Sequence, residues 1–192
     1  MPAPNPDALD FLLTRRSRPA KTLSAPVPTR EELLPILTAA ARSPDHGKLE
    51  PWRFIVLERP ALARLAELAD ARGLSLGRDE AEITKGRKQF EDSHLAVAVI
   101  EVQKPSDKIP SLEQTYSAGA VCLALLNAAL ASGWGANWLS GWPAHDRGFV
   151  ETGLGLGTNE RVAGFIHIGT ESAAPPERPR PDLDQIIEWV SE

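Results

Sequence analysis

The chain has 192 residues, of which 42% are hydrophobic and 24% are charged, and its formal net charge at pH 7 is -5. This length and composition fit one globular domain with a sizeable core, so we predict a single domain over residues 1–192. The negative net charge excludes an extended polyanion-binding surface, and we expect no nucleic-acid partner. A local basic pocket for one phosphate remains compatible with it.

Three further features predict a cytoplasmic protein. The single cysteine, Cys122, has apolar neighbours and no partner for an internal disulfide, which is typical of a buried residue in a reducing compartment. The start, MPAPNPDALDFLL, lacks the basic leader and cleavage site of a secretion signal. The longest apolar stretch, Ala118 to Ala131, is shorter than the roughly 18 residues of a membrane span, so we expect no membrane partner.

Two amphipathic helices are predicted near the N-terminus. An asparagine followed by a proline indicates the start of a helix over residues 5–15, with leucines at helical spacing behind it. Thr29 and Glu32 have the spacing of a capping box, and they precede an apolar helical face. The second helix should therefore begin after Thr29 and end near Arg42.

The middle of the chain contains turns, strands and helices. Turn-forming residues fill the stretch SPDHGKLEP, and the apolar run WRFIVLE behind it has strand character. A helix is predicted from Pro60 to Arg72, where Gly73 should stop it, and a polar helical segment should continue to about Asp92. The run LAVAVIEV is apolar without alternation, which predicts a strand buried on both faces.

The longest predicted helix runs from Ser111 to Ser132 and is apolar on nearly all sides from Ala118 onward. Such a helix needs cover on several sides, which either a large core or a second subunit could supply. The stretch GANWLSGWP predicts a strand and a turn, a short helix follows over residues 146–152, and RVAGFIHIGT predicts a final core strand. Several helices around a few strands, without regular alternation, predict an α+β fold with helices on both faces of a mixed sheet.

The C-terminal segment, about residues 172–192, is predicted to be an extended arm. Its proline-rich part, from Pro175 to Pro181, is compatible equally with a solvated linker and with an arm that reaches a partner subunit. The segment finishes with an apolar patch of Ile186, Ile187, Trp189 and Val190. Such a patch needs a surface to pack on.

Two clusters of cationic residues are candidates for ligand binding. Arg15, Arg16 and Ser17 lie where the first helix should end, and two guanidinium groups beside a hydroxyl suit a phosphate. Arginines at that position are also compatible with a simple role in complementing the helix dipole. Arg42 and His46 bracket the turn SPDHG, where a histidine on its own would be an ordinary surface residue.

A third cluster, Trp138, Leu139 and Ser140, lies on a turn bounded by Gly135 and Pro143. Such a turn can present backbone N–H groups to the edge of a flat heterocycle while an aromatic side chain covers its face, although a tryptophan also suits a core or an interface. The four histidines lie far apart in the sequence and no Cys/His spacing suits zinc, so no metal site is predicted.

Taken together, the clusters resemble a known family in their order and spacing. The stretches LLTRRSRPA, ILTAAARSPDHGKLEPWRFIV, EQTYSAGAVCLALLNAALASGWGANWLSGWP and VAGFIHIGT closely resemble the nitroreductases, in the small, minimal branch of that family. The resemblance runs from about residue 7 to residue 170. It is more specific than its parts because RRS, R-x-P-D-H and W-x-S-G recur in the same order.

The resemblance implies a nitroreductase-like three-layer α-β-α sandwich with a mixed, mainly antiparallel central sheet, built as an intertwined homodimer with sites at the subunit interface. It implies FMN as the cofactor, bound by Arg15, Arg16, Ser17, Arg42, His46, Trp138, Leu139 and Ser140. It implies nicotinamide contacts from Ala128, Ala129, Leu130, Ala131, Ser132 and Gly133. A related sequence has arginine in place of Leu139, so only a backbone contact carries over at that position.

The implied activity is that of an FMN-dependent oxidoreductase, with NADH or NADPH as co-substrate and a nitroaromatic or quinone-like acceptor. The kinetics expected are ping-pong, and no side chain is predicted to be catalytic because the flavin carries the chemistry. Two alternatives remain open. One is a flavin-dependent reductive dehalogenase or flavin-cleaving relative, and the other is a flavin-binding dimer without turnover.

Overall fold

In the computed structural model, which describes residues 3–192, helices and strands follow one another largely as the sequence predicts. The helices are α1 Pro6–Thr14, α2 Arg30–Ala40, α3 Arg59–Ser75, α4 Glu80–Glu91, α5 Ser111–Ala131, α6 Gly141–His145 and α7 Arg147–Leu154. The strands are β1 Leu23–Ser24, β2 Trp52–Glu58, β3 Leu95–Val102, β4 Gly135–Leu139 and β5 Glu160–Glu171. Short 3-10 turns cover Ala20–Thr22, His46–Lys48 and Leu183–Gln185.

The first two helices begin at the capping residues that the sequence indicates. The Asn5 side chain accepts a hydrogen bond from the Ala8 N–H at 3.1 Å at the start of α1. At α2, the Thr29 hydroxyl accepts from the Glu32 N–H at 3.3 Å, and the Glu32 carboxylate accepts from the Thr29 N–H at 2.8 Å. The predicted capping box is therefore confirmed.

One predicted helix end is wrong. Helix α3 does not stop at Gly73 but continues to Ser75. Gly73 is buried against α4, and a Cβ atom at that position would lie 2.7 Å from Cγ1 of Ile83. Gly73 therefore permits close packing of two helices, while Gly77, with a φ of 65°, lies in the turn between them.

The strands form one sheet in the order β1-β5-β3-β2, and β4 also pairs with β5. All four pairings between strands of residues 3–192 are antiparallel, so the mainly antiparallel sheet is confirmed and this chain contributes no parallel pair. One apolar core joins the sheet to α3, α4 and α7, and a second joins it to α2 and α5. The two cores define the predicted α-β-α layers.

Helix α5 belongs to the core on one side only. Val121 and Cys122 are fully buried, and burial raises the pKa of the Cys122 thiol to about 12, as suits an unreactive apolar residue. On another side, Leu112, Tyr116 and Leu123 are exposed at helical spacing. The helix is long and apolar enough to cross a membrane, but here it packs against α2 and three strands.

The C-terminal segment after β5 has little regular structure. Residues 172–192 contain one 3-10 turn and are exposed along most of their length. The side chain of Trp189 is 90% exposed and that of Ile186 is 66% exposed. Within one chain, the apolar end of this segment therefore has no surface that buries it.

An ion pair across the sheet gives a test of stability. Arg53 on β2 donates two hydrogen bonds to the Glu160 carboxylate, at 2.7 and 2.9 Å, and the Arg53 bonds are the main reason that the pKa of Glu160 is lowered to about 2. A carboxyl whose pKa is lower in the folded state stabilises the fold above its ordinary pKa, and that contribution disappears as pH falls towards 2. We therefore expect Glu160→Gln to destabilise the protein by about 2 kcal/mol near neutral pH.

Urea unfolding at several pH values measures this effect. The difference between the wild type and Glu160→Gln should shrink steadily as pH falls below about 5, because the wild-type carboxylate then loses its advantage. Glu67→Gln is the matched control, since Glu67 is exposed and forms no ion pair within residues 3–192. A difference that stays constant with pH would show that the charge of Glu160 is not the cause.

Candidate functional site

Backbone hydrogen bonds hold the segment after α1 against β4. The Arg18 N–H donates to the Ala136 carbonyl at 2.8 Å, and the Asn137 side-chain amide donates to the Arg18 carbonyl at 2.6 Å. These bonds place Arg15 and Arg16 beside the end of β4. Trp138 and Leu139 are the last residues of that strand and pair with Ile166 and Phe165 of β5, so the prediction that they lie on a turn is wrong, and Ser140 alone connects β4 to α6. Two of the clusters singled out in the sequence therefore meet in one place.

The meeting point is a cavity of about 810 Å³, called here the arginine cavity. The N-terminal segment, the end of β4 and the C-terminal segment all line it, with side chains of Arg15, Arg16, Ser17, Lys21, Trp138, Leu139, Glu177, Arg178 and Arg180. Its volume lies within the range of small-molecule sites. A concentration of cations in a chain of negative net charge points to an anionic ligand.

Two nitrogens in this cavity have unused hydrogen-bonding capacity. Nε of Arg15 and Nη1 of Arg16 are buried without a hydrogen-bond partner. Burial first, and then the charges of three nearby arginines, lower the pKa of Arg15. Each of these effects disfavours the charged guanidinium, so an anion placed here would relieve both the repulsion and the missing hydrogen bonds.

Within the chain, one carboxylate already approaches these cations. Oε2 of Glu177 lies 3.1 Å from Nη1 of Arg16, in an ion pair that lacks hydrogen-bond geometry, and Oε1 lies 2.9 Å from Nη2 of Arg180. Glu177, Arg178 and Arg180 were not predicted as site residues. The available signal was the run of charged residues among prolines in ERPRP, but nothing local indicated which surface this segment would contact.

A second cavity of about 610 Å³, called here the lysine cavity, adjoins the first and shares four lining residues with it, Ala20, Lys21, Trp138 and Leu139. Lys85, Lys88 and Gln89 of α4 also line it, together with Ala20, Asp92, Ser93, Ser140, Gly141 and His167. α4 was predicted only as a polar helical segment, and none of its residues was predicted to belong to the site. Lys85 and Lys88 are three residues apart and so share a helical face, but only the tertiary fold brings that face to the end of β4.

Two glycines leave space for the side chains around the end of β4, between the two cavities. Gly141 has a φ of 73°, and a Cβ atom there would lie 2.9 Å from Oε1 of Gln89. At Gly164 on β5, a Cβ atom would lie 2.0 Å from Nε1 of Trp138. The indole of Trp138 therefore lies directly over Gly164, and its 38% exposure leaves surface free for a ligand.

A neutral histidine forms part of the lysine cavity wall. His167 is 1% exposed, its Nδ1 lies 2.9 Å from the Ser93 hydroxyl oxygen, and its Nε2 has no partner. Burial lowers the pKa of His167 to about 4, because the charged imidazolium would be poorly solvated there. His167 therefore contributes polarity but no charge near neutral pH.

The predicted site residues Arg42 and His46 do not line either cavity in a single chain. His46 is 62% exposed and its Nδ1 lies 2.7 Å from a Glu113 oxygen at the start of α5. Arg15 and Arg16 instead share a cavity with Leu130 near the end of α5. At 1.5 Å per helical residue, the two ends are about 25 Å apart, which is too far for one cofactor phosphate or ring edge to bridge.

The predicted nicotinamide segment lies at the C-terminal end of α5. Leu130 and Gly133 line a cavity of about 300 Å³ together with Arg15, Arg16 and Arg18. Ala129 is buried in the core, whereas Ala131, Ser132 and Gly133 are exposed. The structure thus brings part of this segment close to the predicted phosphate residues, in a cavity that shares no lining residue with the lysine cavity.

The three-layer sandwich of this topology is the fold of the nitroreductase-like proteins. A model described as "Nitroreductase family" matches residues 12–170. The chain is 34% identical over 164 residues to "Putative NAD(P)H nitroreductase YdjA" of Escherichia coli (strain K12), and the match covers 85% of this chain and 88% of YdjA. The chain belongs to the nitroreductase family, and the resemblance to its small branch is confirmed.

Solved structures agree on the fold. A nitroreductase-like family protein from Bacillus cereus superposes with a TM-score of 0.78 at 23% identity, covering 99% of this chain and 98% of that one. A protein from Desulfovibrio desulfuricans, solved in complex with FMN, gives a TM-score of 0.76 at 19% identity and covers 99% and 100% of the two chains. These similarities extend over the whole sandwich, including the elements that form both cavities.

Proposed function

We propose that the protein is a cytoplasmic FMN-dependent oxidoreductase that passes hydride from NADH or NADPH to nitroaromatic or quinone-like acceptors in a ping-pong cycle. The observation that carries this proposal is the pair of buried arginine nitrogens without hydrogen-bond partners, in a cavity that continues past Trp138 and Leu139 at the end of β4 into a second cationic cavity. The name of YdjA and the FMN complex of the Desulfovibrio protein support it.

The chain offers suitable groups for both ends of FMN. Arg15, Arg16 and Ser17 would hold the phosphate, since guanidinium groups match phosphate oxygens in charge and geometry. The segment Trp138–Ser140, at the end of β4, would hold the ring, with Leu139 contributing backbone contacts. When bound, FMN supplies the acceptance and donation of hydride, and the protein supplies position and electrostatics.

Electrostatics at the end of β4 suit this task. Lys21, which lines both cavities, provides positive charge beside the expected polar edge of the ring, where negative charge develops on reduction. The neutral His167 adds no charge that would vary near neutral pH. For a nitro acceptor, two electrons from the nicotinamide and two protons break one N–O bond and release a nitroso product and one water, and solvent provides the second proton.

We also propose that the active form is an intertwined homodimer. The exposed stripe of Leu112, Tyr116 and Leu123 on α5 and the exposed apolar end of residues 172–192 are surfaces that a second copy would bury. If two α5 helices pack antiparallel, the His46 end of one lies beside the Arg15 end of the other. Arg42 and His46 would then complete the cofactor site of the partner, and Ala128–Gly133 would contact the nicotinamide.

The absorption spectrum of the purified protein tests the central claim. We expect a yellow protein, or one that gains a flavin spectrum on incubation with FMN and then oxidises NADH or NADPH when a nitroaromatic is added under argon. A colourless protein that binds no FMN would refute the proposal. Bound FMN that the nicotinamides reduce no faster than they reduce free FMN would identify a flavin-binding dimer without turnover instead.

A glycine substitution tests the position of Trp138. Because an added methyl group at residue 164 would overlap the Trp138 indole, Gly164→Ala should displace this side chain and weaken FMN binding about tenfold, equivalent to about 1.4 kcal/mol. Gly157→Ala is the control, since its Cβ would lie 3.3 Å from the nearest atom, Oδ1 of Asn159. FMN affinity is measured by flavin fluorescence quenching. Equal affinities of the two variants would show that Trp138 does not contribute to FMN binding.

A further inference from the structure

The lysine cavity contains positive charge that the folded chain leaves without a partner. In residues 3–192, every ion pair uses an arginine or a histidine, and Lys21, Lys85 and Lys88 form none. The single acidic residue among the cavity-lining residues is Asp92, at the C-terminal cap of α4. The cavity is therefore cationic by composition, and its lysines do not serve the stability of the fold through ion pairs.

The same cavity has polar groups with no bonding partner inside the chain. Nε2 of Gln89 and Nε2 of His167 are buried and make no hydrogen bond. His167 itself is almost completely buried. A buried polar group without a partner is rare and costs stability, so such groups commonly indicate a ligand or bound water. Two such groups beside three unpaired lysines indicate a polar, negatively charged ligand.

The two cavities differ in the anion that they suit. The arginine cavity offers planar guanidinium groups, which match the several oxygens of a phosphate. The lysine cavity contains no arginine, and its ammonium groups act as point charges beside the exposed indole of Trp138. An aromatic ring with one carboxylate fits this combination, because the ring can stack while its carboxylate lies among the lysines.

We propose that the lysine cavity selects electron acceptors that carry a carboxylate, such as nitrobenzoates, over neutral acceptors of the same shape. This inference rests on the proposed function, because it concerns the acceptor used in that reaction. The carboxylate remains unchanged in the reaction, which transfers two electrons and two protons to the nitro group and releases one water. Charge attraction raises the local concentration of the acceptor and fixes its orientation.

The test compares 4-nitrobenzoate with 4-nitrobenzamide, which differ in charge but little in shape. FMN-loaded protein is reduced anaerobically with stoichiometric dithionite and mixed with each acceptor, and flavin absorbance reports the rate of reoxidation. This design removes the nicotinamide from the measurement. We expect nitrobenzoate to react about tenfold faster at low salt, as two or three partly screened charge contacts would give, and the advantage should decrease as salt is added.

Lysine variants locate the effect. Lys85→Gln and Lys88→Gln should each lower the second-order rate constant for nitrobenzoate about threefold and leave that for nitrobenzamide unchanged, as loss of one exposed charge contact predicts. Lys104→Gln is the control, because Lys104 is exposed and lines neither cavity. Flavin content is measured for each variant so that every rate refers to loaded protein.

Several outcomes would overturn the inference and leave the proposed function intact. Equal rate constants for the two acceptors, or an equal decrease of both rate constants in the lysine variants, would show that the lysines do not discriminate between acceptors by charge. The rates at which NADPH and NADH reduce the bound flavin are measured separately for each variant. A change in the ratio of these two rates, with no change in the choice of acceptor, would assign the lysines to a coenzyme phosphate. Failure to bind FMN or to reduce either acceptor would instead refute the proposed function itself.

Discussion

Replacing both Arg15 and Arg16 with alanine is expected to lower the affinity for FMN by at least about a hundredfold. Each guanidinium has a buried nitrogen without a hydrogen-bond partner in the arginine cavity, and a hydrogen bond to a charged group contributes about 1.5 to 3 kcal/mol. Losing two such bonds to a phosphate gives the expected factor. Equilibrium dialysis with FMN, followed by flavin absorbance, measures it.

The fold should tolerate this double substitution. Arg15 forms no ion pair within residues 3–192, and Glu177, the ion-pair partner of Arg16, is 70% exposed and also contacts Arg180, so the substitutions leave no unpaired carboxylate in the core. Arg64→Ala is the control, because Arg64 donates one hydrogen bond to the Gly153 carbonyl and lies outside both cavities. Unchanged FMN affinity in the double variant, with circular dichroism and size-exclusion profiles like those of the wild type, would mean that the phosphate binds elsewhere.

A mixed dimer of two defective chains is expected to regain FMN binding at one of its two sites. One chain carries Arg15→Ala and Arg16→Ala, and the other carries Arg42→Ala and His46→Ala. In each homodimer every site has one defective half. In the mixed dimer one site combines both native halves and the other combines both defective halves, so the expected content is one FMN per dimer.

The expectation follows from the length of α5. His46 contacts Glu113 near its start, whereas Arg15 and Arg16 lie with Leu130 near its end, so a single chain keeps them about 25 Å apart. Different affinity tags on the two chains allow the mixed dimer to be isolated, and flavin absorbance gives its occupancy. A mixed dimer as empty as both homodimers would place all four residues of one site in a single chain. A homodimer of the Arg42→Ala and His46→Ala chain that still binds FMN would exclude Arg42 and His46 from the site.

Elements with strong local signals could be predicted from the sequence. The capping box at Thr29 and Glu32 fixes the start of α2, and the unbroken apolar run of β3 indicates a strand covered on both faces. The error at Gly73 has the opposite cause. A glycine ends a helix when the backbone turns there, but it permits helix packing when a neighbour such as Ile83 approaches, and only the tertiary structure distinguishes these cases.

The candidate site was predictable where its residues are close in the sequence. The motif RRS and the segment Trp138–Ser140 could each be recognised from adjacent residues, and hydrogen bonds around Arg18 bring the two segments together. Lys85, Lys88 and His167 could not be found in this way, because each lies within an ordinary helix or strand. Their convergence depends on the tertiary packing of α4 against the sheet, seen in the contact between the rings of Phe90 and Phe165, which no local pattern specifies.

The contact of Glu177 with Arg16 and Arg180 has a consequence for binding measurements. A phosphate that enters the arginine cavity replaces the Glu177 carboxylate as the ionic partner of the arginines. The measured binding free energy is therefore the difference between the free energies of the phosphate contacts and of the carboxylate contacts. Fewer salt ions are displaced than the number of arginines would suggest. The ionic-strength slope of cofactor loading should accordingly be shallow, and it should steepen when residue 177 is made neutral.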